Sequence, residues 1–306
     1  MNNISGPAKT GKTLFIDYPL GEIADYINWT YFFHEWRLNG KYPSVFIDPL
    51  MGKEAAELYD NAQQMLERII SEKWLTANGI AGIFPSNSIG DDIEVYSPED
   101  KDKTLITFHF LRNQQSIKDT PNYCLADFVA PQDSGITDYI GCFAVTAGTG
   151  MNVKVDEFNN AGDDYSALML KILGNRLAEA FAEVVHLKVR RELWAYVKDE
   201  DLSPEELFLG KYRGIRPAPG YPACPDHSAK AEIFSLLEVT ENTGISLTET
   251  FMMNPAASVC GWYFAHPDAK YFSVGKVSKE QVADYARRKG IPAGEAEKWL
   301  FRVIAY

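Results

Sequence analysis

Residues 163–196 carry the longest helical pattern in the chain, and runs of strand character lie on both sides of it. Asp163 or Asp164 can cap its start by accepting from free N–H groups of the first turn. Leu168, Ile172, Leu173, Leu177, Ala180, Phe181, Val184 and Val185 fall at helical spacing and form one apolar stripe. Before it, residues 80–87, 92–96, 104–111 and 139–146 read as strands. The first is closed by Pro85-Ser86-Asn87, and the middle two bracket a charged hairpin at Pro98-Glu99-Asp100-Lys101. After it come strand candidates at 247–253, 258–264 and 271–277. Helices are expected at 23–38, 51–78, 203–209, 228–237, 279–289 and 294–300. Strands gathered in runs between helices predict an α+β fold with a largely antiparallel sheet, not a doubly wound parallel one.

Arg216-Pro217-Ala218-Pro219-Gly220-Tyr221-Pro222-Ala223-Cys224-Pro225-Asp226-His227 fits neither helix nor strand. Its four prolines fix φ and remove amide donors, and its glycine lets backbone approach closely. Such a stiff segment has little ordering entropy left to lose. Arg216 opens it with a planar, permanently charged fork suited to a carboxylate, and Tyr221 adds a flat face and a hydroxyl. A small-molecule site is one reading; a proline-rich surface connection is the other.

Several functions lose support at once. Net charge is −12, against general nucleic-acid binding. No apolar run approaches a membrane span, and no charged-then-apolar leader opens the chain. Cys124, Cys142, Cys224 and Cys260 are scattered, which suits neither a disulfide framework nor zinc, so a reducing cytoplasm is expected. Residues 6–13 match G-x-x-x-x-G-K-[ST], but a phosphate loop needs a strand before it and a helix after it. Only five residues precede the match, and Pro19 stops the short apolar run behind it, so residues 1–13 are expected to form a flexible tail before one domain at 14–306. There is no G-x-G-x-x-G after an early strand and no H-E-x-x-H. Cys224 and His227 are spaced C-x-x-H, too few ligands for a metal site and a weak signal for a nucleophile pair.

The loop and other blocks carry a family likeness. Arg216, Gly220 and Tyr221 form Arg-x-x-x-Gly-Tyr. Tyr26-Ile27-Asn28-Trp29-Thr30, Gly40-Lys41-Tyr42-Pro43, Asn122-Tyr123-Cys124-Leu125-Ala126-Asp127-Phe128, Asp138-Tyr139-Ile140-Gly141, and the run from Ser258 through Gly261-Trp262-Tyr263-Phe264 to His266-Pro267-Asp268 follow in order. Together they resemble the activation (reactivation) domain of cobalamin-dependent methionine synthase, over nearly the whole chain.

The resemblance implies a single curved α+β domain, its twisted antiparallel sheet flanked by helices. It implies binding of S-adenosylmethionine and presentation of its methyl group to cobalamin on a partner module. There, with an electron from flavodoxin or a related flavoprotein reductase, cob(II)alamin is remethylated to methylcobalamin. The domain would be part of a methyltransferase, incomplete as an enzyme on its own, with no catalytic acid, base or metal. The chain itself is expected to lack the segments for homocysteine, folate and cobalamin, so it could be a separate subunit or the C-terminal part of a longer enzyme. Residue by residue, the resemblance places Arg216 on the ligand carboxylate and backbone of Ala218 and Gly220 on its polar parts. Tyr221 completes the motif, Tyr271 beside Phe272 makes a late-strand contact, and Glu179 sits in the helix run Arg-Leu-Ala-Glu-Ala-Phe-Ala-Glu that begins at Arg176.

One residue departs from the family pattern. Ile-Asp-Trp-Thr reads Ile27-Asn28-Trp29-Thr30 here, so the expected partner of the ligand ammonium is an uncharged amide that can still accept one hydrogen bond. Affinity is expected to be weakened unless another carboxylate, such as Asp25, compensates. Two rivals follow: a docking module for a corrinoid protein that has lost methyl-donor binding, and an unrelated enzyme using Cys224 or His227.

Overall fold

The structure, a computed structural model, describes residues 6–115 and 121–306. Among them the strands are β1 (Gly11–Phe15), β2 (Thr76–Ile89), β3 (Asp92–Tyr96), β4 (Thr104–His109), β5 (Asp138–Thr149), β6 (Ser246–Leu247), β7 (Met253–Asn254) and β8 (Ser258–Tyr263). The helices are α1 (Leu20–Ala24), α2 (Trp29–Glu35), α3 (Gly52–Ser71), α4 (Met151–Asn160), α5 (Asp164–Lys188), α6 (Pro204–Phe208), α7 (Lys230–Leu237), α8 (Val239–Thr243), α9 (Lys279–Lys289) and α10 (Ala293–Leu300).

The main sheet runs β4-β3-β2-β5-β8, every pairing antiparallel, with β1 also on β2. Because side chains alternate along a strand, β2 and β5 feed two cores at once. Ala81, Ile83, Phe143 and Val145 face α5 and the N-terminal helices. Ile80, Phe84, Cys142 and Ala144 face α7 and the loop after Ile215. A third, small core joins α9 and α10 through Val277, Val282, Tyr285, Ala296 and Leu300. The α+β expectation with an antiparallel sheet between helices is met.

Pro85 lies inside β2, where a turn was expected. It falls between the last residue paired to β1, Ile83, and the first paired to β3, Ser86. The missing N–H is tolerated in that gap.

Other boundaries also shift for local reasons. The helix expected at 23–38 is two helices, because the Asn28 side-chain oxygen accepts from Thr30 N–H (3.2 Å) and starts α2 afresh. The helix expected at 51–78 stops at Ser71; Lys73 takes φ +54° and the chain enters β2 at Thr76. Residues 271–277 are not a strand of the sheet: Val274 N–H donates to Pro222 O (2.9 Å) and Val277 N–H to Val303 O (2.9 Å). α4 and α8 had no expected counterpart. Gly11-Lys12-Thr13, expected in a tail, belong to β1, and Lys9 N–H donates to Leu193 O (2.8 Å); residues 1–5 lie outside the described residues. The phosphate-loop match is thus strand where a helix would be needed, with Lys12 paired to Glu238 (2.6 Å).

Candidate ligand-binding site

The proline-rich loop is fixed at both ends. Ile215 and Phe264 exchange backbone hydrogen bonds (3.0 Å each), and Trp262 N–H donates to Pro217 O (3.0 Å). The loop therefore starts as an extension of β8's free edge. A side chain at Gly261 would run into the Pro217 carbonyl, so that approach needs glycine. The chain then turns: Tyr221 N–H donates to Ala218 O (3.3 Å), Gly220 N–H to Cys224 O (2.7 Å) and Cys224 N–H to Tyr221 O (2.9 Å). Gly220 has φ +93°, and the His227 ring fills the space a side chain would take. Gly220→Ala is expected to cost at least about 2 kcal/mol, from left-handed backbone strain plus the clash, read by urea unfolding.

The far end is held by Asp226, which is buried. It accepts from Ser228 N–H (2.7 Å), the Ser228 hydroxyl (2.8 Å), the Tyr285 hydroxyl (2.7 Å) and the Lys289 ammonium (2.9 Å). Lys289 and Tyr285 lie on α9, so this contact ties the loop to the C-terminal helices.

Behind the loop opens a cavity of about 600 Å³. Helix α5 gives it Arg176, Glu179, Ala180 and Glu183, residues three and four apart that share one helix face. The α1–α2 junction gives Tyr26, Asn28 and Tyr31. The segment Leu207 to Gly210, with Tyr212, closes another side, and Arg216, Tyr221 and Tyr271 complete the lining. Ser203 and Glu206 form the capping box that starts α6, the helix leading into that wall.

The cavity brings together Asn28, Glu179, Arg216, Tyr221 and Tyr271 from four separate parts of the chain. Ala218, Gly220 and Phe272 are not in its lining. The Ala218 carbonyl and Gly220 N–H serve the turn, and Phe272 packs on Tyr123 and Phe128. The Tyr271 hydroxyl accepts from Arg216 N–H (3.0 Å), so this tyrosine also steadies the start of the loop. Asp25 is exposed and outside the lining, and the Asn28 oxygen already caps α2. Glu179 is the cavity carboxylate that makes no ion pair among the described residues.

Arg216 itself is only partly spent. Its Nη1 donates to Glu183 Oε2 and lies 3.4 Å from His186 Nδ1, while the side chain keeps 20% exposure and lines the cavity. Burial alone would lower the guanidinium pKa; Glu183, with Tyr212 and Tyr271, outweighs it and holds the pKa above its ordinary value. Burial, helped by Arg190 and Arg216, pushes the His186 imidazole well below its usual range, so it stays neutral.

Cys224 and His227 do not form a nucleophile pair. Burial pushes the Cys224 thiol well up, which keeps it unreactive. His227 Nδ1 is 2.7 Å from the Lys230 ammonium, which can only donate, so the ring accepts there. Among the described residues no three His, Cys, Asp or Glu side chains gather as a metal site, and no helix is long and apolar enough to cross a membrane.

Sequence reasoning missed Glu183, Tyr212, Tyr26, Tyr31 and the Leu207 to Gly210 wall as site residues. Glu183 had a signal: it closes the same helix run as Glu179, one turn on, where an acidic residue sits among core positions.

Residues 19–290 match the family described as vitamin B12 dependent methionine synthase, activation domain. A crystal structure of the MetH reactivation domain bound to AdoHcy is 48% identical to this chain, with a TM-score of 0.96; the match covers 99% of this chain and 93% of that one. The chain belongs to the activation-domain family of vitamin B12-dependent methionine synthase.

Proposed function

We propose that the cavity binds S-adenosylmethionine and presents its methyl group to cobalamin on the partner module of methionine synthase. The observation that carries this reading is the convergence of Arg216, Glu179, Asn28, Tyr221 and Tyr271 on one cavity of about 600 Å³, within the size range of small-molecule sites. The AdoHcy-bound structure supports it, since AdoHcy is the demethylated form of the same ligand. The donor set fits the ligand. The free edge of Arg216 suits its carboxylate, Glu179 its ammonium or sulfonium charge, and the tyrosines its flat adenine ring.

The transfer needs little from the protein beyond position. The sulfonium carbon is already activated by its own charge, and breaking its bond to sulfur leaves neutral S-adenosylhomocysteine. Cobalamin, when docked, supplies the nucleophilic metal after one electron from a flavodoxin-type donor. This chain's residues orient the donor and exclude water from the methyl group. We place the reaction in the cytoplasm, with no part for nucleic acid or membrane. The test combines this chain, the cobalamin-loaded module, a one-electron reductant and methyl-labelled S-adenosylmethionine. Label should appear on cobalamin and be lost with Arg216→Ala.

The docking-only reading has one observation in its favour: the cavity position of Asn28 holds a neutral amide whose oxygen already caps α2, so it offers an ammonium no charged acceptor. Asn28→Asp should tighten S-adenosylmethionine binding about fivefold to tenfold, by exchanging a neutral group for a charged acceptor. The cap survives, because aspartate caps as well as asparagine. Titration calorimetry checks this. Binding by the Asn28→Asp variant alone, with none by the native chain, would favour the docking-only reading.

A further inference from the structure

A buried charge cluster lies against the cavity wall that α5 provides. Glu183, His186 and Arg190 sit at 3%, 0% and 0% exposure along one face of α5 and its continuation. The helix does not end as an α-helix: residues Val189–Leu193 form a π-turn, and Arg190 within it is fully buried. Glu200 takes up Arg190 through both Nε (2.9 Å) and Nη2 (2.8 Å). Glu183 lies 3.6 Å from Arg190 Nη1 and is bonded to Arg216 Nη1. Arg190 also stacks on the Tyr212 ring at 4.3 Å. His186 stacks on Tyr263 (4.9 Å, 13° between planes), which stacks in turn on Phe143 (4.6 Å).

Two guanidiniums and two carboxylates balance in charge; Glu200 accepts from Arg190 Nε, while Arg190 Nη1 and Nη2 make no hydrogen bond. The Glu183 carboxylate lies beside Arg190 through Oε1 (3.6 Å) and holds Arg216 through Oε2. It takes Nη1 from behind, while the exposed part of the guanidinium stays on the cavity side. His186, neutral and wedged by two aromatic rings, closes the remaining side of Nη1. A long, rotamer-rich arginine has thus lost its freedom before any ligand arrives, which reduces the ordering cost of binding. A net-neutral cluster also suits the zwitterionic end of an amino acid better than a bare anion, whose charge it would leave uncompensated.

We infer that Glu183 is the positioning residue that fixes Arg216 for the carboxylate of an amino-acid-bearing ligand, with Arg190 and Glu200 holding Glu183 in place. The inference rests on the proposed binding reading. Its test compares two ligands on the full chain: S-adenosylhomocysteine, which has the amino-acid end, and 5′-methylthioadenosine, which lacks it. Glu183→Asp keeps the cluster's charge but withdraws the carboxylate by one methylene. The expected result is about a tenfold fall in affinity for S-adenosylhomocysteine relative to 5′-methylthioadenosine. Glu183→Gln, which keeps the reach and an acceptor oxygen, should restore most of that ratio.

Equal weakening of both ligands by Glu183→Asp would make Glu183 a merely structural residue and overturn the inference. A Glu183→Gln variant no better than Glu183→Asp would overturn it as well. Failure of the native chain to bind either ligand would instead sink the binding reading itself.

Discussion

Arg216→Ala is expected to weaken S-adenosylmethionine binding on the order of 100-fold and to destabilise the domain at the same time. A charge-assisted pair with a carboxylate is worth about 1.5–3 kcal/mol, and each 1.4 kcal/mol is tenfold. The second effect has a different origin. Arg216 is the closest cation to buried Glu183, whose Oε1 has no hydrogen-bond partner, and its removal leaves Oε2 without one as well, with Arg190 at 3.6 Å. Breaking a buried pair costs about 3–5 kcal/mol, and the remaining arginine puts this case at the low end. Arg216→Lys should rescue little of the affinity, because a point charge cannot hold Glu183 and a carboxylate on two edges of one plane. Cys224→Ala is the contrasting control: a small core truncation with ligand binding retained. Calorimetric titration and urea unfolding read both quantities. The reverse pattern, with binding lost in the cysteine variant and kept in Arg216→Ala, would revive the rival enzyme reading.

Asp226→Ala should have the larger effect on stability alone, about 3–5 kcal/mol, because it strips a buried carboxylate from Lys289, Tyr285 and Ser228 together. Ligand affinity should fall by less than tenfold, since the Arg216 end of the loop stays pinned to β8.

The pH dependence follows from two opposed shifts. Burial alone would raise the Asp226 carboxyl; Lys289, Tyr285 and Ser228 outweigh it and hold it below its ordinary value. Its contribution is therefore fully present above the unfolded pKa of about 3.9 and is lost as pH falls through the lower folded value. For Lys289, burial would lower the ammonium, but Asp226 and Glu232 outweigh it and raise it. That contribution is present below the unfolded pKa of about 10.4 and lost as pH rises through the higher folded value. Stability against pH should thus be flat between these limits for this pair, and Asp226→Ala should remove the acid limb and shrink the alkaline one, since Glu232 stays 3.3 Å from Lys289. An unchanged acid limb in the variant would show that other carboxylates dominate it.

The sequence made the layers of this fold legible because periodicity reports burial. The α5 stripe from Ile172 to Val185 and the strands at 92–96 and 258–263 emerge where expected, while Leu168, at the start of that stripe, is exposed. What it hid were local backbone events that periodicity does not register. The amide of Asn28 splits one apolar pattern into two helices, and Lys73 turns another with φ +54°. The segment at 271–277 has strand composition but finds its partners in the loop and the C-terminal residues, so it never joins the sheet.

The site divides along the same line. Arg216 and Tyr221 could be singled out because a proline-rich segment with one guanidinium is unusual in itself. Glu179 and Asn28 needed the family likeness. Glu183 was passed over because helical spacing assigns it to the core, which is where it sits; only its contacts reveal that it holds Arg216. Tyr212 and the Leu207 to Gly210 wall come from a region with no periodic signal, and their place is set by the capped start of α6.

Titration calorimetry of the native chain with S-adenosylmethionine tests the central claim most directly. Saturable binding of one ligand per chain, nearly abolished by Arg216→Ala while the variant remains folded, is the predicted result. No heat of binding from a chain shown to be folded, or equal binding by the Arg216→Ala variant, would contradict the assignment of this cavity to the methyl donor.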